Sequence, residues 1–462
     1  MTKLFKPIIA GVIVASLSAC TSQPDEHSQN QNSSQAKNIN STQGTQSFDE
    51  KTLKKRSAAY IEQFQKHEFD RLYENVTDEM ASKLPKEKFA SKWNDLLTQL
   101  GPSLGIESES FKSKDKNGRV SIITVHRKYN LQTTFVYTKD GKVADIQSQL
   151  QPLIVKPQQS DKWEESPIKV GYNEKKLNGL LTLPKGIEKP PVAILLQGSG
   201  PNNMDSIIGT GLNRPFADIA HGLADRGIAT IRYDKRSYTY PDDVTDVEAE
   251  YLYDAKEAVQ LAKKDKRIDS NRIYLIGHSQ GGVMGPKIAQ DNPEIKGFVS
   301  MAGTLRHLED AILSQTTMRL EQDTTLTTEQ KKAELDKTKV EVQKVKKLSS
   351  SDKSGVLLGY PTSYWKSLNA IDQVGIAKNL TIPMFIIQGT TDFHLSTELD
   401  YKLWQETLAN KNNVSFKLYP GLSHVFMPGG AADKFDGSIY NKPAHVDSQV
   451  IEDVSEWINA RH

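Results

Sequence analysis

Residues 272–282 read Arg272-Ile273-Tyr274-Leu275-Ile276-Gly277-His278-Ser279-Gln280-Gly281-Gly282. A short apolar run ends in Gly-x-Ser-x-Gly, and helix-forming residues follow. A buried strand running into a sharp turn and then a helix fits this pattern. Glycine on each side of the serine lets neighbouring backbones approach, which leaves Ser279 at the tip of the turn. The N-terminus of the following helix offers unpaired N–H groups and a positive dipole end to a developing anion. Ser279 is therefore the candidate nucleophile, and a purely structural strand-to-helix turn is the competing reading.

A serine hydroxyl needs a base, and the base needs an orienting partner. Downstream, Gln388-Gly389-Thr390-Thr391-Asp392 places a carboxylate just after an apolar run, and Gly421-Leu422-Ser423-His424 places an imidazole after the next. In an open parallel sheet, loops at the carboxyl ends of strands meet at one edge, where ligands bind. His424 is the expected base and Asp392 its orienter. Asp372 reads as a helix-start residue, and His394 and His445 lack the Gly-x-x-His setting. Upstream, Gln197-Gly198-Ser199-Gly200-Pro201 follows another apolar run. The backbone N–H groups of Ser199 and Gln280 are the candidate oxyanion donors.

The surrounding chain alternates strand-like and helix-like segments from about residue 163. Runs at 191–196, 228–233, 272–276, 297–302, 384–387 and 414–419 predict strands. Leu252, Ala255, Val259 and Ala262 mark a helix face, as do Val450, Ile451, Val454 and Ile458. Such alternation predicts a mainly parallel sheet flanked by helices. Thr245-Asp246-Val247-Glu248 has the form of a capping box. The polar, Lys-rich interval at about 305–380 is too long for an ordinary connection and suits a helical cap insertion. Residues 48–151 predict a separate small α+β domain. Leu53, Tyr60, Ile61 and Phe64 recur at helical spacing, as do Phe89, Trp93 and Leu96 or Leu97, and strand alternation follows around an Asp140-Gly141 hairpin turn. Its isolated His67 and His126 read as surface or packed residues.

Residues 21–47 are rich in Gln, Ser, Asn and Thr and read as a disordered tether. Before them lie two lysines, a short apolar stretch and Leu17-Ser18-Ala19-Cys20. This resembles a bacterial lipoprotein signal over residues 1–20. The resemblance implies cleavage before Cys20, lipidation of its thiol, and a protein anchored by lipid in the cell envelope, outside the cytoplasm. Cys20 is the sole cysteine, which excludes an internal disulfide framework or a multi-cysteine metal site.

With Gly277–Gly281, Asp392 and His424 in Ser, acid, His order, residues 163–462 resemble the α/β-hydrolase superfamily, and within it bacterial serine esterases. Residues 48–151 resemble the domain of unknown function, with a cone-like fold of the nuclear-transport-factor type, that precedes some of them. The resemblance implies a small-molecule acyl substrate and no cofactor. Asp234-Lys235-Arg236 is similar to the family's Asp-x-Arg loop, a structural element with Arg236 as a candidate site wall. There is no His-Glu-x-x-His, dinucleotide fingerprint or Walker loop to argue for a metal or organic cofactor. Fifty-nine basic against 57 acidic residues give a net charge of +2, which makes no electrostatic case for nucleic acid. The expected activity is carboxylic-ester hydrolysis through an acyl-enzyme. Peptidase, amidase, thioesterase or acyltransferase action on the same triad stays open. A non-catalytic envelope binding protein is the reading from another class.

Overall fold

The computed structural model describes residues 48–461 apart from 115, 350, 353, 432–434 and 436. The signal, Cys20 and the tether lie outside the described residues. The chain divides into two compact units, residues 48–153 and 154–461.

In the first unit, strands β1 (Gly105–Lys114), β2 (Asn117–Val125), β3 (Tyr129–Tyr137) and β4 (Val143–Pro152) form an antiparallel meander in chain order. Helices Glu50–Gln65 and Lys86–Leu100 cover it. The predicted helical spacings are the buried faces: Leu53, Tyr60, Ile61 and Phe64 on one helix, Phe89, Trp93 and Leu96 on the other. Phe64 lies at the centre, with ring centroids 4.9 Å from Trp93, 5.2 Å from Phe89 and 6.2 Å from Phe135. His126 is packed between Thr124 and the Gly101 carbonyl, and His67 bonds Asn94 at the surface.

The second unit is built on eight strands. They are β5 (Trp163–Val170), β6 (Leu177–Pro184), β7 (Val192–Leu196), β8 (Ala229–Tyr233), β9 (Ile273–His278), β10 (Ile295–Met301), β13 (Met384–Gly389) and β14 (Val414–Tyr419), with a two-strand ribbon of β11 (Val356–Leu357) and β12 (Tyr360–Pro361) in a connection. Their order is β14-β13-β10-β9-β7-β8-β6-β5, parallel from β14 to β8 and antiparallel at β6 and β5. Side chains alternate across a strand, so a sheet covered on both faces needs continuous apolar runs. On β7, Val192, Ile194 and Leu196 enter one core with helices Tyr253–Lys264 and Gln280–Asp291. Ala193 and Leu195 enter the other core with helices Pro215–Ala224 and Ser448–Asn459. Strand β9, which delivers Ser279, is central and pairs in parallel with β7 and β10.

Three expectations are corrected. The interval at 305–380 is not all insertion. Helices Leu308–Gln322 and Thr328–Lys346 form a largely polar pair joined by the Arg319–Glu334 ion pair, and they touch the main core only through Leu308, Ile312 and Val345 among the described residues. Helices Thr362–Asn369 and Gln373–Asn379 supply Tyr364, Trp365, Leu368 and Ala377 to that core. The proposed capping box at 245–248 does not form, because the Asp246 carboxylate accepts the Ala249 N–H while Thr245 Oγ1 donates to Asp246. Arg236 is no site wall. It is fully buried in a two-bond pair with Asp254, at 2.7 Å for each bond.

Candidate active site

Ser279 sits between β9 and helix Gln280–Asp291 with φ 52° and ψ −119°. A non-glycine residue with positive φ is strained, and such strain persists only where the surroundings impose it. The close approaches that impose it are visible at the two flanking glycines. A Cβ on Gly277 would lie 2.3 Å from the Gly281 carbonyl oxygen, and one on Gly281 would lie 2.4 Å from the Leu196 oxygen. Ser279 N–H donates to the Met301 carbonyl at 2.9 Å, which ties the elbow to β10.

Loop 198–200 leaves the end of β7 and lies against the elbow. A Cβ on Gly198 would come 3.0 Å from Ser279 Cβ and 3.5 Å from its Oγ. Among the described residues no protein group accepts the N–H of Ser199 or of Gln280. Gln197 donates to the Tyr233 carbonyl through its side chain.

Asp392 follows β13 and His424 follows β14. His424 Nδ1 donates to Asp392 Oδ2 at 2.8 Å. The other oxygen of Asp392 accepts the N–H groups of His394 and Leu395, at 2.8 and 3.0 Å. These bonds fix the carboxylate and leave His424 Nε2 as the free face of the ring. His278 Nε2 donates to the His424 carbonyl at 2.9 Å, with the two rings 4.7 Å apart, so the residue before Ser279 holds the histidine loop against the elbow. Among the described residues no hydrogen bond joins Ser279 Oγ to His424. Such bonds are often long without substrate and tighten when it binds. The rival candidates sit otherwise. Asp372 caps helix Gln373–Asn379, and His445 is exposed on Asp218. His394 is a neighbour, its ring 4.7 Å from that of His424 and its carbonyl held by Gln315.

Residues 213–428 match the family described as serine aminopeptidase, S33. Residues 57–146 match a family described as a protein of unknown function, DUF3887. Esterase EstD of Thermotoga maritima is 30% identical over 413 residues, covering 86% of this chain and 93% of that protein. The chain belongs to the α/β-hydrolase serine esterases. Solved structures similar to this esterase include Est1E from Butyrivibrio proteoclasticus, 18% identical, covering 64% of this chain and 99% of that one, with a TM-score of 0.40. Another is an esterase from Pyrococcus furiosus, 15% identical, covering 67% and 96%, with a TM-score of 0.43. The protein is a carboxylic ester hydrolase.

At this edge of the esterase, burial disfavours charge on the histidines. Burial holds His278, His394 and His424 below the ordinary histidine value of 6.5. Burial also pushes Asp392 up to about 6, opposed by His394 and by the two backbone N–H donors. Charge is disfavoured on both partners of the Asp392–His424 pair. Above about 6 it holds an ionised carboxylate and a neutral imidazole, the form a general base requires. Sequence reasoning missed the role of His278 and a group of buried polar residues beneath loop 198–200. Lys235 stood in the Asp-Lys-Arg motif beside the arginine that drew attention. Glu250, Tyr251 and Tyr364 carried no local signal.

Proposed function

We propose that the esterase works through Ser279, His424 and Asp392, on small to medium acyl esters, while lipid-anchored through Cys20 in a bacterial cell envelope. The Asp392–His424 bond beside a strained Ser279 is the observation that carries the triad. His424 Nε2 takes the proton as Ser279 Oγ attacks the acyl carbon. The N–H groups of Ser199 and Gln280 meet the oxyanion. Collapse expels the alcohol, which takes the proton from His424. Water, deprotonated by His424, then attacks the acyl-enzyme and releases the acid. Asp392 keeps the Nδ1–H tautomer and stabilises the imidazolium.

Helix Leu308–Gln322 reaches this edge through Gln315, which donates to the His394 carbonyl. The test is hydrolysis of p-nitrophenyl esters from acetyl to palmitoyl, beside Ser279→Ala. The variant should lose on the order of 10⁶ in kcat. Full activity in it would sink the mechanism, and an optimum at palmitoyl would sink the acyl-length reading. Because one matching family is described as an aminopeptidase, a panel of peptide amides belongs in the same experiment. Turnover of amides well above esters would move the natural substrate to that class. Mass spectrometry of the native N-terminus tests the anchor, and an unmodified terminus upstream of Cys20 would remove it.

A further inference from the structure

Beneath loop 198–200 a buried network joins both candidate oxyanion donors. Lys235, 2% exposed, leaves the end of β8 and points its ammonium at the loop. It donates to the Gly198 carbonyl at 2.9 Å and lies 3.3 Å from the Gly200 carbonyl, 2.6 Å from Tyr251 OH and 3.0 Å from Glu250 Oε1. Tyr251 OH in turn reaches the Gly198 carbonyl at 3.0 Å. The second oxygen of Glu250 accepts Tyr364 OH at 2.5 Å, and that hydroxyl accepts Gln280 Nε2 at 2.7 Å. A π-helical turn at Glu248–Leu252 makes this possible by burying Ala249, Glu250 and Tyr251 in succession. Such turns recur at functional sites.

A peptide unit is planar and trans, so its C=O and N–H point in opposite directions. The Gly198 carbonyl and the Ser199 N–H belong to one such unit. Gripping that carbonyl from below turns the Ser199 N–H away from the ammonium, and among the described residues no protein group accepts it. A buried ion pair rarely earns its place through stability alone, because desolvation offsets much of the attraction. Burial holds Lys235 below the ordinary lysine value, and the Glu250 carboxylate opposes that shift. Burial also holds Tyr251 and Tyr364 well above the ordinary phenol value, which leaves both as neutral O–H donors.

We infer that Lys235 is a positioning residue for the oxyanion. Its ammonium, clamped by Glu250, aims the Ser199 N–H at the reacting carbonyl, and Glu250 extends the same constraint through Tyr364 to Gln280. This rests on the reading of Ser279 as nucleophile. An N–H set before the reaction stabilises the transition state without raising substrate affinity.

The test uses the full chain in detergent, with p-nitrophenyl butyrate as substrate and a butyl trifluoromethyl ketone as probe. The ketone's adduct with Ser279 carries the oxyanion. Lys235→Met should lower kcat on the order of 10²-fold, leave KM within about twofold, and raise the ketone Ki in step with the fall in kcat. Tyr364→Phe should do the same to a smaller degree, roughly tenfold. A purely structural lysine would lower the melting temperature and leave kcat and Ki of the folded enzyme unchanged, and that result would overturn the inference. A rise in KM matching the rise in Ki would also overturn it. If Lys235→Met does not fold, Lys235→Met with Glu250→Gln replaces it, since no lone buried charge is then left. Ser279→Ala runs alongside. Activity there overturns the mechanism itself, whereas an inactive Ser279→Ala with a fully active Lys235→Met overturns this inference alone.

Discussion

In the N-terminal unit, two buried polar pairs close on one another, while Tyr60 OH, Trp93 Nε1 and Thr133 Oγ1 stay scattered and unpartnered among the described residues. Ser57 Oγ meets Tyr137 OH at 2.7 Å, and Thr124 Oγ1 meets His126 at 2.9 Å, both under an aromatic core. At the carboxyl edge of the eight-stranded sheet, the open groups gather around one strained residue, Ser279. The Ser199 and Gln280 N–H groups have no protein acceptor among the described residues, and His424 keeps one ring nitrogen outside its bond to Asp392. Ser279 holds a backbone conformation that the first unit's strands and helices have no need of. Closed polar pairs make a core specific. Open ones, gathered at a strained nucleophile and held in place by closed ones, make a site.

The contrast predicts that damage at the two places reads out differently. Asp392→Asn should lower kcat on the order of 10⁴-fold, by favouring the wrong imidazole tautomer, with little loss of melting temperature. Steady-state kinetics with calorimetry checks this, and a variant above a tenth of wild-type kcat would break the contrast at its functional end. In the first unit, Phe64→Ala should destabilise by about 3–5 kcal/mol and leave kcat unchanged. Denaturant unfolding followed beside activity decides it.

A third expectation concerns pH. Because burial pushes Asp392 up to about 6, the acid limb of kcat/KM should have its midpoint at about 6, with activity rising as pH climbs through it and ionises the carboxylate. A midpoint clearly above the ordinary histidine value of 6.5 would mean that burial is not the governing influence.

The smallest effect lies in a buried carboxyl apart from the triad. Asp234 accepts the Met204 N–H through one oxygen, and burial pushes it up to about 7 from 3.8. Its folded value is above its unfolded one, so the folded chain binds more protons between the two. Stability therefore falls as pH rises from about 4 to about 7. Asp234→Asn keeps an acceptor for Met204 and cannot ionise. It should raise the melting temperature near pH 8 by ~2–4 °C, with a smaller gain near pH 5. An equal gain at both would refute the titration account.

Features carried by neighbours in the chain were legible in the sequence. The elbow at 277–281, the apolar strands of the parallel sheet, the helix faces at Leu53 and Val450, and the loops bearing Asp392 and His424 all announce themselves within a few residues. Features set by distant packing were not. Strand β1 reads as polar because it is an edge, with Glu107, Ser108, Glu109 and Ser110 all exposed. Tyr364 and Trp365 belong to the core although their surroundings in the chain are polar. The choice between Lys235 and Arg236 could not be made from adjacent letters. It depends on which partner, Glu250 or Asp254, the fold brings to each.

The strained dihedral at Ser279 has one more consequence. Glycine occupies positive φ without the penalty a side chain meets there. Ser279→Gly should therefore melt at a higher temperature than Ser279→Ala, though both are inert, and calorimetry of the pair would isolate the cost of that one torsion. At this position robustness and turnover ask for different residues. A lineage released from the need to hydrolyse esters would be expected to drift there first, trading its chemistry for a quieter backbone.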